Sequence, residues 1–197
     1  MSPGDSERRF VAAQLRSVAP LEDAVLAPIL DAARIRNLSR GELFLRAGDR
    51  ATTAGTLITG VMREYYPLAD GREVTRNFAG PGDGIGSLSD LISGDPAKSA
   101  IAAETDARTV VIPWTLLRSE PALAPFLART TEQLYLRKAQ REYELLALDA
   151  EARYLAFRTR FATLEDQIQL KQVASYVGIT PEHLSRLRRR LADEPRE

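Results

Sequence analysis

The sequence contains no cysteine and only one histidine, His183. Without thiolates the chain has no disulfide, no cysteine-bound zinc and no cysteine-held iron–sulfur cluster. Because no second histidine exists, we interpret His183 as a surface or phosphate-contacting residue rather than a metal ligand. We therefore expect neither a metal nor a cofactor, and sensing of redox state through sulfur is excluded.

Long apolar segments and catalytic motifs are also absent. The first ten residues are polar and charged, unlike a signal peptide, and every apolar run is shorter than the roughly 20 residues that a membrane-spanning helix needs. There is no Gly-x-Ser-x-Gly motif and no Gly-x4-Gly-Lys-Ser/Thr phosphate loop. The sequence therefore predicts a cytoplasmic protein that is not an enzyme.

Net charge is zero, because 27 basic residues balance 27 acidic ones, and this balance alone argues against a nucleic-acid-binding protein. The distribution of charge along the chain, in contrast, favours a nucleic-acid-binding protein. Residues 150–191 hold eight basic side chains and only four acidic ones. Basic charge gathered near one end suits contacts with phosphate groups. A solvated helix face is the alternative explanation.

The first part of the chain changes character near Asn37. Apolar spacing in residues 8–36 predicts one or two short helices. From there to Pro113, glycines separate short runs rich in Leu, Val, Ile and Thr, and Asp70-Gly71 predicts a hairpin between strands at 61–66 and 73–78. Strands this short leave no room for crossover helices, so we expect an antiparallel sandwich or barrel.

Residues 121–148 lack glycine and predict a helix of about 25 residues. Leu127, Leu134, Leu145 and Leu148 lie on one stripe of that helix. The stripe has two interpretations. In the first, the helix pairs with the same helix of a second copy in a homodimer. In the second, the helix packs across the β domain of its own chain.

Residues 170–191 predict a helix-turn-helix. Gly178 ends the first helix, Thr180 caps the second, and Pro181 occupies the first turn of that second helix. Leu184 and Leu187, with Leu191 one turn further on, bury the second helix on one side. Asp149 is placed to cap a preceding helix over residues 150–161.

The opposite face of the second helix carries the predicted DNA contacts. Arg186 is predicted to hydrogen-bond guanine O6 and N7. Glu182 is predicted either to accept from cytosine N4 or to hold Arg186 in position. Other polar side chains are suited to phosphates. An exposed basic helix end, favourable to the helix dipole in any protein, is the alternative. The full predicted set is Lys171, Thr180, Pro181, Glu182, His183, Ser185, Arg186, Arg188, Arg189 and Arg190.

The order of β segment, long helix and terminal helix-turn-helix resembles the Crp/Fnr superfamily of regulators. The residues that carry the resemblance are Gly41, Gly48-Asp49, Gly60, Gly82-Asp83, Ile85-Gly86-Ser87-Leu88, Lys98-Ser99-Ala100, Asp149, Arg153, Glu182 and Arg186. It implies an α+β chain with a jelly-roll effector domain (1–120), a long dimerisation helix (121–148) and a helix-turn-helix domain (149–197). It also implies a homodimer that binds double-stranded DNA and contacts RNA polymerase.

The sequence departs from the cyclic-AMP-binding members of that family. Where they have Gly-Glu-Leu this chain has Gly86-Ser87-Leu88, and Lys98 stands in place of the arginine that grips the cyclic phosphate. Alignment through Asp149 puts Lys138 and Ala139 where the family has adenine-contacting hydroxyls. We therefore expect an effector other than cyclic AMP. An anionic effector is expected to meet Gly86, Ser87, Leu88, Lys98, Ser99 and Lys138.

Two further expectations follow from the C-terminal end. Only six residues follow Leu191, so the helix-turn-helix domain is expected to lack a full wing. The missing wing and the neutral charge favour an alternative function, a small-molecule sensor or protein-interaction module that does not bind DNA.

Overall fold

The computed structural model describes residues 1–193 and opens with two helices, α1 (Asp5–Val18) and α2 (Asp23–Ala32). The predicted helical region ends early, because β1 (Arg34–Leu38) already begins at Arg34. Val11, Leu15, Leu26 and Ile29 are buried and pack with β-domain residues in one core cluster. None of the helices within residues 1–193 is long and apolar enough to cross a membrane.

Eight strands form the β domain as two four-stranded antiparallel sheets, in the order β1-β8-β3-β6 and β2-β7-β4-β5. This arrangement confirms the sandwich and the jelly-roll layout. The remaining strands are β2 (Leu43–Leu45), β3 (Thr53–Thr59), β4 (Met62–Pro67), β5 (Glu73–Ala79), β6 (Gly84–Ile85), β7 (Ala100–Ala103) and β8 (Ala107–Pro113).

The β4–β5 hairpin forms where the Asp-Gly pair predicts it. Gly71 has φ 84°, a conformation that glycine adopts without steric cost. The register shifts between Glu64 and Tyr65, which indicates a bulge in β4. A six-residue helix, α3 (Leu88–Ser93), follows β6 and interrupts what the sequence predicts as an all-β segment.

The long helix is α5 (Ala124–Ala147), preceded by α4 (Trp114–Ser119) and a 3-10 turn over Pro121–Leu123. The turn before it packs on the β domain, where Leu123 is fully buried, and Arg129 of α5 donates to the carbonyl of Val18 at the end of α1 at 3.0 Å. Further along, Leu136 is 66% exposed and Leu146 is 80% exposed. The start of the helix therefore packs within its own chain, whereas pairing of the exposed part with a second copy stays a prediction.

The exposed apolar stripe differs from the predicted one. Leu127 and Leu134 are half-buried. The exposed positions Leu136, Ala139, Tyr143 and Leu146 follow one another at intervals of three, four and three residues, the spacing of a helix–helix seam.

Three helices complete the described chain: α6 (Ala150–Arg160), α7 (Leu170–Val177) and α8 (Pro181–Asp193), with a 3-10 turn over Glu165–Gln167. Asp149 caps α6 as predicted, its carboxylate accepting from the amide of Ala152 at 2.8 Å. No strand occurs in residues 124–193. The domain boundaries expected from the sequence stay predictions.

Candidate nucleic-acid interface and effector pocket

The helix-turn-helix has the local structure that its sequence predicts. Gly178 ends α7 with φ 79°, the left-handed conformation of a helix C-cap. The hydroxyl of Thr180 accepts from the amide of His183 at 3.2 Å and so caps α8. Val173, Ala174, Val177, Leu184 and Leu187 are buried in the core of the module, with Leu191 packed at its edge.

The exposed face of α8 presents the predicted base-reading residues. Glu182, His183, Arg186 and Arg189 are all exposed, whereas Pro181 and Ser185 are half-buried. The helix backbone at Glu182, the Thr180 hydroxyl and the Arg186 charge lower the pKa of the Glu182 carboxyl. Glu182 therefore stays ionised near neutral pH and offers only acceptors. Lys171 and Thr180 are also exposed.

Two of the predicted phosphate contacts already have partners inside the module. Arg188 donates to Glu165 at 2.7 Å and to the hydroxyl of Tyr154 at 2.9 Å. Arg190 is ion-paired with Glu151 on α6 but is more exposed than Arg188. The structure therefore gives Arg188 a role in holding α8 against α6, which the local sequence pattern does not reveal.

The first helix of the motif covers the free edge of a β-sheet. β5 lies at the end of its sheet, so its outer backbone groups lack a strand partner. The amide of Thr75 donates to the Ser175 hydroxyl at 2.9 Å, and that hydroxyl donates to the carbonyl of Glu73 at 3.0 Å. A single serine on α7 thus satisfies two edge groups of β5.

Aromatic packing extends this contact. The ring of Phe78 on β5 lies 6.1 Å from that of Phe157, 5.6 Å from that of Phe161 and 5.9 Å from that of Tyr176, measured between centroids. Phe78 is 2% exposed. Edge-on and tilted ring pairs at these distances are favourable beyond the area they bury. The helical module and the β domain therefore share one apolar cluster.

Two arginines bind the C-terminal end of α7. Arg141 of α5 donates to the carbonyl of Tyr176 and lies 3.9 Å from the centroid of its ring. Arg153 of α6 donates to the carbonyl of Val177 at 2.8 Å. Cations at a helix C-terminus complement the helix dipole and satisfy its last carbonyls. The position of Arg153, one of the residues that carry the family resemblance, is thus explained by α7.

The predicted effector residues come together only in part. Ser87 and Ser99 are buried, Gly86 and Leu88 are half-buried, and Lys98 is exposed. The Ser87 hydroxyl donates to Asp90 at 2.5 Å. The Ser99 hydroxyl donates to Glu64 at 2.7 Å. Both hydroxyls that were expected to meet an anion are therefore bonded to carboxylates of the chain itself.

Lys138 of α5 is exposed but lies within electrostatic range of the same residues. Burial, together with the neighbouring Arg76, lowers the pKa of Lys138, while Glu64 and Asp90 act in the opposite direction. Arg76 of β5 is ion-paired with Glu64 of β4. Sequence reasoning missed all three of these partners. A Ser-x-x-Asp capping pattern at 87–90 was the available signal for Asp90.

Two clefts of about 320 and 330 Å³ lie elsewhere on the β domain. The first is lined by residues that include Asn37 and Asp106, the second by residues that include Arg36 and Arg50. Neither is lined by any residue of the predicted effector set.

The chain thus combines a β sandwich with a long helix and two C-terminal helices joined by a tight turn. Comparison with known proteins agrees with this fold. Residues 35–120 match the model of the cyclic nucleotide-binding domain family. No curated protein sequence matches the chain.

Several solved structures share the architecture. FixK2 from Bradyrhizobium japonicum is 21% identical with a TM-score of 0.71, over 81% of this chain and 84% of its own. The c-di-GMP-responsive global regulator CLP from Xanthomonas campestris is 20% identical with a TM-score of 0.68, over 89% and 96%. DNR from Pseudomonas aeruginosa is 20% identical with a TM-score of 0.57, over 98% and 90%. The chain therefore has the fold of Crp/Fnr-type regulators.

Proposed function

We propose that this chain is a homodimeric transcription regulator that binds specific DNA sequences through α8. The observation that carries the proposal is the two-sided character of that helix. Leu184 and Leu187 bury one side, while Glu182, Arg186 and Arg189 are exposed on the other, beginning in the first turn. The first turns of a recognition helix are the part that enters the major groove.

Each exposed side chain has a proposed role. Arg186 binds guanine O6 and N7 through two hydrogen bonds, and Glu182 accepts from cytosine N4 or holds Arg186 in position. Pro181 and Ser185 line the same approach to the bases. The residues proposed to contact phosphates are Lys171, Thr180, His183, Arg189 and Arg190.

The second copy is proposed to pack along α5. Leu136, Tyr143 and Leu146 are more than half exposed, and a second α5 would bury all three. A two-fold dimer would present two α8 helices to half-sites about one DNA turn apart. Contact with RNA polymerase and a cytoplasmic location belong to the same proposal. Because Ser87 and Lys98 depart from the cyclic-AMP pattern, cyclic AMP is not the proposed effector.

A selection from random DNA duplexes, followed by mutation of Arg186, tests the proposal. The selection should enrich an inverted repeat. Arg186→Ala should then weaken binding to the preferred duplex by about 1–3 kcal/mol and relax specificity at one base position in each half-site. The matched control is Arg118→Ala, which removes an exposed arginine from α4. Unchanged affinity of Arg186→Ala across duplex variants would contradict the assignment.

A second function has one observation in its favour. Residues 124–193 contain no strand, so the described part of the module has no wing to contact the DNA backbone. A sensor or protein-interaction module that does not bind DNA fits that observation. The same selection separates the two functions, because such a module would enrich no duplex even at low salt.

A further inference from the structure

Glu64 binds Ser99, one of the predicted effector residues. One of its carboxylate oxygens, Oε1, accepts from the Ser99 hydroxyl at 2.7 Å and is ion-paired with Arg76. Its side chain is 17% exposed, that of Arg76 is 22% exposed, and Ser99 is buried. Cationic and hydroxyl groups that converge on one oxygen are the donors with which proteins bind small anions. Here the anion is a side chain.

A second carboxylate holds another serine of the predicted effector set. Asp90 of α3 is 8% exposed and accepts from the Ser87 hydroxyl. Both carboxylates act on the pKa of Lys138 of α5, which is exposed, in the direction that raises it. Of the two, only Glu64 has an ion-pair partner among the described residues, namely Arg76. A further anion entering this cluster would add unbalanced negative charge next to two carboxylates.

We propose that Glu64 is an internal ligand of the β domain, whose carboxylate holds Arg76 and Ser99, two groups that would otherwise be free to bind an anion. This proposal rests on the proposed function in one respect, its consequence that DNA binding needs no anionic effector. That consequence follows because Arg76 and the Ser99 hydroxyl, which an anion would use, are already bonded to a carboxylate of the chain.

Chemical rescue tests the internal ligand directly. Glu64→Ala removes the carboxylate and leaves room for a small one, so acetate should raise its melting temperature by about 3 °C relative to chloride at equal ionic strength. Wild type, whose pocket is filled, should show no such difference. Asp95→Ala, which removes an exposed carboxylate from the loop after α3, should also show none. Equal shifts in all three proteins, or no shift in Glu64→Ala, would overturn the proposal.

A less disruptive variant covers the case in which Glu64→Ala does not fold. Glu64→Gln keeps the shape of the side chain and removes its charge, so Arg76 loses its ionic partner. Inorganic phosphate should then stabilise Glu64→Gln but not wild type at the same ionic strength. Stabilisation of wild type by phosphate, or of neither protein, would contradict the internal ligand.

The consequence for DNA binding has its own test. Native mass spectrometry of the purified protein should give twice the mass of the polypeptide with no added ligand mass, and selection from random duplexes should succeed with no small molecule added. Enrichment only after addition of cyclic AMP, cyclic GMP or cyclic di-GMP would overturn the inference and leave the proposed function standing. No enrichment under any condition would contradict the proposed function, while the acetate experiment, which uses no DNA, would still decide the internal ligand.

Discussion

Replacing Phe78 by alanine should loosen the helix-turn-helix from the β domain. The ring of Phe78 belongs to a β strand, yet it packs among Phe157, Phe161 and Tyr176 of the helical module. Truncation removes the shared side chain and leaves a cavity between the two units. The hydrogen bonds of Ser175 to β5 would then remain with little apolar packing beside them.

The magnitude follows from burial. Phe78 is 2% exposed, and truncation of a fully buried phenylalanine costs about 3–5 kcal/mol of unfolding free energy. For a chain of this size, each kcal/mol corresponds to about 2–4 °C in melting temperature, so a fall of roughly 6–20 °C is expected. Phe78→Leu keeps most of the volume and should lose under about 2 kcal/mol.

Urea unfolding gives the free energies, and amide hydrogen exchange locates the effect. Phe44→Ala is the control, because Phe44 is 7% exposed in a core cluster that does not include the helical module. Both alanine variants should lower global stability. Only Phe78→Ala should selectively speed exchange of the α7 amides. A loss below about 1 kcal/mol, or equal α7 protection in both variants, would show that α7 is not docked on β5 in solution.

Two further predictions concern the dimer and the module. Leu146→Glu places a charge on the most exposed leucine of α5 and should shift sedimentation from dimer to monomer, whereas Leu155→Glu on α6 should not. A dimer that tolerates Leu146→Glu would place the interface elsewhere. Arg188→Ala removes the partially exposed partner of Glu165 and should lower stability by about 1 kcal/mol, with the salt dependence of DNA binding unchanged. A flatter salt dependence in this variant would instead make Arg188 a phosphate contact.

The helix-turn-helix could be predicted from the sequence because its signals are local. Gly178 and Thr180 act within one turn of their own positions, and so does the Asp70-Gly71 pair of the hairpin. Capping and turn geometry depend on a few neighbouring residues. The same reasoning explains why Asp149 was correctly placed at the start of α6.

The partners of the predicted effector residues could not be predicted in this way. Glu64 reaches Ser99 across 35 residues, and the bulge after Glu64 alters which side chains of β4 share a face. A shift of one residue moves side chains to the other face of a sheet, and no local pattern records it. The pairing of Arg188 with Glu165, 23 residues away, escaped prediction for the same reason.

The edge contact of β5 has a similar origin. Ser175 of α7 is half-buried, and the sequence around it suggests no hydrogen-bond partner for its hydroxyl. Its hydroxyl meets Thr75 and Glu73 a hundred residues earlier in the chain, and only the completed sandwich brings that edge to α7. Tertiary packing therefore determines how the helix-turn-helix packs against the β domain, although local sequence determines the helix-turn-helix itself.

Salt dependence of duplex binding tests the central claim most directly. Lys171, Arg189 and Arg190 are exposed in each protomer, so a dimer carries about six such phosphate contacts and the slope of log K against log salt should be about −5. Fluorescence anisotropy with the selected duplex, measured from low to moderate salt, gives that slope. Steep weakening is the predicted result. Absence of duplex affinity at low salt, or a slope near zero, would contradict a DNA-binding regulator.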